Sequence, residues 1–223
     1  MSKREEICKV GKLLYDRGYV ASNDGNISVR TGENEILITP SGVSKGRMTP
    51  DMMVKTDLDG NVLGKSDRYP SSEIKMHLMV YKNRPDVNAI VHAHPVTATA
   101  FACCNKALDE AFLPEMIIGF GQIPVTEFAM LSTDAVPESL KPFVKDYNAV
   151  LLANHGAITW SGDLWNAFDR METLEHTAKI YLTMHQLGAL PDLNGHLLSK
   201  EECDTMIGLR GFYAKNAGKR DED

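Results

Sequence analysis

A chain of 223 residues that is 43% hydrophobic and 24% charged can bury a core of its own without disulfide staples. That composition excludes a disordered, collagen-like or coiled-coil chain, and no apolar run approaches the roughly 20 residues of a membrane span. A net charge of −6 disfavours nucleic acid as the main partner, and it means that an anionic ligand must be held by local donors against the overall field.

In chain order, Ile7, Val10, Leu13 and Leu14 fall at helical spacing and predict a helix over 3–17 that Gly18 ends. Asn23-Asp24-Gly25-Asn26 reads as a turn. Ile27–Arg30 and Glu35–Thr39 are β-branched runs joined by Thr31-Gly32-Glu33-Asn34, a hairpin signal. Met53–Asp57 and Val62–Leu63 flank Asp59-Gly60-Asn61 and predict a second hairpin. Ser71-Ser72-Glu73 opens a helix towards Arg84 with a serine as its cap. Ala89–Ala93 is an apolar strand, and Val96–Cys104 a helix after Pro95. Ile117–Ile118 and Ile123–Val125 are weak strands, Val136–Asp146 a helix, and Ala149–Ala153 a buried strand. A strong helix covers 163–187, and a last one runs from about Ser199 towards 215. No linker or internal repeat divides the chain, so 1–223 reads as one domain with 216–223 as a flexible tail. Hairpins in the first third, followed by alternating strands and helices, predict a mixed sheet with helices on both faces.

The cysteines at 8, 103, 104 and 203 form no Cys-x-x-Cys pair. Together with the charged N-terminus MSKREEICKV, which does not read as a signal peptide, they point to reduced thiols in a cytoplasmic protein.

Ile90-Val91-His92-Ala93-His94-Pro95 carries the sharpest chemical signal. Residues i and i+2 of a strand share a face, so His92 and His94 project together where Pro95 stops the strand. Leu151-Leu152-Ala153-Asn154-His155-Gly156 takes a third imidazole to the end of a second buried strand. Three histidines at neighbouring strand ends fit a catalytic metal site with an open position; the competing reading of His155 is a hydrogen-bonded core histidine. His77, His176, His185 and His196 have no partner at ligand spacing and read as structural.

Tyr69-Pro70-Ser71-Ser72-Glu73 places two hydroxyls and free amides at a helix start, which suits an anion. Glu73 beside them is a candidate metal ligand or general base, against the plainer reading of a first-turn acid. Asp24-Gly25-Asn26 and Pro40-Ser41-Gly42-Val43 are turns with amide donors and short polar side chains, the chemistry of a phosphate nest. Lys45 and Arg47 read equally well as helpers of that nest and as solvated surface residues.

Gly25-Asn26-Ile27-Ser28, Ile38-Thr39-Pro40-Ser41-Gly42, Ser71-Ser72-Glu73, His92-Ala93-His94-Pro95 and Asn154-His155-Gly156, in this order, resemble the class II aldolase/adducin family and within it the fuculose-phosphate aldolase branch. The resemblance covers the chain to about residue 215. It implies an α/β fold, a three-layer α/β/α sandwich around a mainly antiparallel mixed sheet. It also implies a homotetramer with active sites between neighbouring subunits. Zn²⁺ would be bound by His92, His94 and His155, with Glu73 as fourth ligand in the empty site; Co²⁺ and Mn²⁺ are candidate substitutes. Phosphate would be held by Gly25, Asn26, Ser41, Gly42, Ser71 and Ser72.

The activity so implied is cleavage of a deoxyketose 1-phosphate, of the L-fuculose or 5-deoxypentulose type, to dihydroxyacetone phosphate and a small aldehyde. The metal would stabilise the enediolate, and Glu73 would carry the proton. Where the fuculose aldolases use a tyrosine from the neighbouring subunit, this chain has Phe112-Leu113-Pro114-Glu115-Met116. Glu115 resembles the acid/base of methylthioribulose-1-phosphate dehydratases, against the plainer reading of an ordinary loop acid; it opens a dehydratase, the main alternative, or a different deoxypentulose aldolase. Tyr213 matches a tail tyrosine that closes over the fuculose aldolase site. A ribulose-5-phosphate 4-epimerase is weakened because Thr39 stands where those enzymes carry lysine, and the non-catalytic adducin branch lacks the histidines present here.

Overall fold

The computed structural model describes residues 1–188 and 197–209. The strands are β1 (Asn26–Gly32), β2 (Glu35–Ile38), β3 (Val54–Thr56), β4 (Ala89–Ala93), β5 (Ala149–Leu152) and β6 (Gly156–Ser161). The helices are α1 (Lys3–Asp16), α2 (Ile74–Asn83), α3 (Val96–Cys103), α4 (Pro114–Gly119), α5 (Ala135–Val144), α6 (Leu164–Gly188) and α7 (Lys200–Gly208). The strands form one sheet in the order β3-β2-β1-β4-β6-β5, each neighbouring pair antiparallel.

Strand alternation sorts the core into two layers. Ala89, Val91 and Ala93 of β4 face one side, where Ile7, Val10 and Leu14 of α1, Ala98 and Ala102 of α3, Met116 of α4 and Leu174 and Ala178 of α6 are buried. Ile90 faces the other side with Ile158 and Trp160 of β6, under Met76, Val80 and Tyr81 of α2 and Leu140 of α5. Each large apolar side chain so enclosed contributes about 1.5–3 kcal/mol of transfer free energy. The three-layer α/β/α arrangement expected from the family resemblance is the one observed.

Local chemistry explains where the elements begin. Ser2 and Glu5 form a reciprocal cap at α1, and Ser199 and Glu202 form one at α7. The first hairpin pairs Gly32 with Glu35; the second survives as β3 and a single bridge between Thr56 and Val62, its turn held by the Asp57 carboxylate, which accepts from the amides of Asp59 and Asn61.

Three expectations need correction. Ile117 and Ile118 are helical in α4 rather than a strand, because Pro114 takes the first helical position and starts a turn of helix there. Ile123 and Val125 make single bridges, to Leu108 and Leu151, and no ladder. The helix expected from Ser71 begins at Ile74, without a serine cap: Glu73 is the capping residue, and the Ser71 hydroxyl accepts the Glu73 amide in the turn before it. β6 is an added strand that pairs with both β4 and β5. Among the described residues no helix is long and apolar enough to cross a membrane.

Candidate active site

β4 is the centre of the site. Its register pairs His92 with Ile158 and with Asn26, so three strands meet at the end where the imidazoles project. His94 follows the strand, and His155 sits in the three-residue turn between β5 and β6, where Asn154 takes a left-handed backbone (φ 56°). The candidate ligand atoms of His92, His94 and His155 all lie within 4.8 Å of one another.

The orientation of the rings suits a cation. The Nδ1–H of His92 donates to the Ala157 carbonyl at 2.9 Å, which turns its Nε2 lone pair inward. His94 Nδ1 lies 3.6 Å from the Asp24 carboxylate, and its Nε2 is 3.1 Å from that of His92. Two inward lone pairs at that distance repel each other unless a proton or a metal ion stands between them. Glu73 completes the set, with Oε1 3.1 Å from His155 Nε2 and Oε2 3.3 Å from His92 Nε2. Three imidazole nitrogens and one carboxylate converging in this way fit a divalent transition metal of the zinc type.

Two glycines make this approach possible. A Cβ on Gly156 would stand 2.5 Å from the His94 ring and 2.6 Å from the Ala93 carbonyl. Gly25 has φ +71°, and a Cβ there would lie 2.8 Å from the His92 carbonyl.

The electrostatics follow from this packing. Burial works against ionisation of Glu73, but His92 and His155 outweigh it and hold its carboxyl far below the usual carboxylate range. Burial likewise works against protonation of His92, and Glu73 reverses it and raises the ring above its ordinary value. His94 is lowered to about 3 by burial and by the two neighbouring histidines.

Behind Glu73 runs a buried chain of hydrogen bonds. Asn26 Nδ2 donates to Glu73 Oε2 at 2.6 Å, and Asn26 Oδ1 is 2.5 Å from His77 Nε2. His77 Nδ1 is 2.6 Å from the Ser28 hydroxyl, which lies 2.9 Å from that of Tyr81. Since the Asn26 amide donates to the carboxylate, its carbonyl must accept from His77 Nε2–H, and Nδ1 must accept from Ser28. His77 is therefore a neutral, satisfied core histidine, as expected; burial lowers it to about 3.

A cavity of about 200 Å³ opens beside the histidines, and Gly25, Asn26, Ser41, Gly42, Ser71, Ser72, Glu73, His94 and His155 all line it. Its two serine loops are stitched together: Ser41 donates its amide to the Tyr69 carbonyl at 3.0 Å, and Ser71 donates to that of Thr39 at 3.1 Å. Both serines line the cavity, the Ser71 hydroxyl also accepting the Glu73 amide.

Glu115 is not part of this cluster. It lines a different cavity with Tyr19, Asp169, Glu172 and His176. Tyr213, His196 and the tail 216–223 lie outside the described residues. Sequence reasoning left Lys45 undecided, yet it lines the site and is 2% exposed, whereas Arg47 is exposed. It also missed Leu131 and Ser132, which reach the same cavity and carry no motif.

Comparison with known proteins agrees with this geometry. Residues 5–182 match the profile described as Class II Aldolase and Adducin N-terminal domain. The chain is 36% identical over 189 residues to a 3-oxo-tetronate 4-phosphate decarboxylase of Haemophilus influenzae, covering 82% of this chain and 89% of that one. It is 36% identical over 183 residues to an L-fuculose phosphate aldolase of Methanococcus maripaludis, covering 82% and 97%. A solved L-fuculose 1-phosphate aldolase superposes with a TM-score of 0.84 at 33% identity, over 93% of this chain and 96% of its own. The motif resemblance is thus borne out, and the chain belongs to the class II aldolase and adducin family, as an enzyme of its metal-dependent aldolase and lyase kind.

Proposed function

We propose that this enzyme cleaves a deoxyketose 1-phosphate of the L-fuculose or 5-deoxypentulose type to dihydroxyacetone phosphate and a small aldehyde. The convergence of His92, His94, His155 and Glu73 beside a hydroxyl-lined cavity carries the reading. The resident metal is zinc, held by the three imidazoles. When bound, it supplies a Lewis acid where negative charge collects on the substrate carbonyl oxygen.

The chain's own residues do the rest. Ser41, Gly42, Ser71 and Ser72, with Gly25 and Asn26, hold the phosphate. An acid/base takes the proton from the C4 hydroxyl as the C3–C4 bond breaks; Glu73, a carboxylate in the empty site, takes up a proton from solvent once substrate has displaced it and gives that proton to C3, and the acid/base returns its own to solvent, so that no net proton is consumed. We assign the acid/base role to Glu115 of a neighbouring subunit in a homotetramer. That assignment rests on the motif resemblance; within one subunit Glu115 lines a cavity other than the one beside the histidines.

The relationship to a 3-oxo-tetronate 4-phosphate decarboxylase favours a second reading, in which the bond broken is to a carboxylate and carbon dioxide leaves. A methylthioribulose-phosphate dehydratase is a third, carried by Glu115. One panel separates them. The metal-loaded enzyme is given L-fuculose, 5-deoxyribulose and methylthioribulose 1-phosphates and a 3-oxo-tetronate 4-phosphate. Dihydroxyacetone phosphate with an equivalent of aldehyde, from a ketose 1-phosphate, is the outcome expected; carbon dioxide from the 3-oxo-tetronate 4-phosphate, which leaves the same dihydroxyacetone phosphate but no aldehyde, or loss of water alone, would replace the aldolase reading with one of the others.

A further inference from the structure

We propose that Lys45 is the cation of the phosphate-binding cavity, its ammonium bracing two of the turns that line the cavity, at 23–26 and 40–43, and drawing the anionic end of the substrate towards them. The inference rests on the phosphate reading above.

Lys45 is the one lysine or arginine lining this cavity among the described residues. The other charged side chains there are Asp24 and Glu73, both acids. In a chain of net charge −6, with Asp24 in the wall, a dianion seated against the serine and glycine turns gains from a cation on that side of the cavity, in addition to any metal at the histidines. Lys45 is that cation by position, and it is almost fully enclosed, at 2% exposure.

Its partners show how it is held. Nζ donates to the Asn23 carbonyl at 2.8 Å and to the Val43 carbonyl at 2.6 Å. Asn23 precedes Asp24-Gly25-Asn26 and Val43 follows Ser41-Gly42, so one ammonium ties together the two turns read from sequence as a phosphate nest. An ammonium carries three donors, and two are accounted for by these carbonyls. Carbonyl dipoles compensate a buried charge only in part, and an anion would complete the compensation. Burial, only partly offset by Asp24 and Glu73, lowers Lys45 to about 8, so its charge is held weakly until such a partner arrives.

The test is titration with inorganic phosphate, first on metal-loaded protein and again after chelation. Lys45→Met keeps the aliphatic stem and should weaken phosphate binding about tenfold or more. Wild-type affinity should also fall as pH rises from about 8 to about 9.5, where phosphate is almost wholly dianionic, while Lys45→Met shows no such fall. The pH series on the wild type answers the question even if the variant does not fold. Unchanged affinity in Lys45→Met, with Ser72→Ala weakened, would overturn the role of Lys45 and leave the phosphate reading intact. Phosphate binding that vanishes on chelation, or that neither substitution changes, would overturn both.

Discussion

His77 illustrates how a buried residue acts on chemistry it does not touch. It is fully enclosed, and its Nε2–H fixes which way the Asn26 amide faces, so that the amide donates to Glu73 rather than opposing it. Its burial also links folding to pH. The folded ring protonates only near pH 3, whereas an exposed histidine does so near 6.5. Between those values the unfolded chain takes up a proton that the fold refuses. The contribution is complete above pH 6.5 and is lost as pH falls, by about 1.4 kcal/mol per unit. Urea midpoints of metal-free protein from pH 7 to 4 should fall accordingly, and His77→Gln should flatten the slope; an equal slope in the variant would contradict the assignment. The His92–His94 pair was legible in the sequence because strand alternation alone puts both on one face. The burial of Lys45 was not, since it depends on where α1 and two distant turns meet, which no local pattern encodes.

At the scale of elements, the cage is closed by strand pairing. β4 brings His92, β6 receives its Nδ1–H through Ala157, and the β5–β6 turn brings His155. Glu175 of α6 accepts the amides of Thr97 and Ala98 at 3.1 and 2.9 Å, anchoring the start of α3 just beyond His94-Pro95, where no side chain of α3 itself caps it. Gly156 is the narrowest point. We expect Gly156→Ala to push the His94 ring away and weaken metal binding about tenfold to a hundredfold, read by competition with a coloured chelator, with the far-ultraviolet circular dichroism unchanged; undiminished affinity would mean that the ring has room to move. β6 itself carried a readable pattern, Ala157 and Thr159 against Ile158 and Trp160, but a run this short after His155-Gly156 does not separate from a loop by periodicity alone. Ile117–Ile118 failed for the opposite reason: two β-branched residues suggest a strand, and Pro114 overrides them from three positions away.

For the whole molecule, the proposed sharing of active sites between subunits makes a distinctive prediction. Glu73→Gln alone should lower turnover about a hundredfold to ten-thousandfold while metal stays bound. Glu115→Gln alone should also be impaired. When the two variants are unfolded together and reassembled, random neighbours give about one quarter of sites both intact carboxylates, and activity should recover to about that fraction. No recovery would place both groups in one subunit or remove Glu115 from the chemistry. The layered fold was legible as a whole from the motifs in order; the assembly rests on the motif resemblance.

The antiparallel order of the sheet also sets a timetable for a growing chain. Glu73, His92 and His94 leave the ribosome early, but His155 follows roughly sixty residues later, and Ala157, which orients His92, later still. A nascent chain displaying only the first pair of imidazoles is a poor competitor for a divalent metal ion, because two ligands without a fixed ring orientation hold an ion loosely. A metal ion held by the three imidazoles would thus load only after β6 has docked between β4 and β5, acquired by a finished fold rather than used to build one.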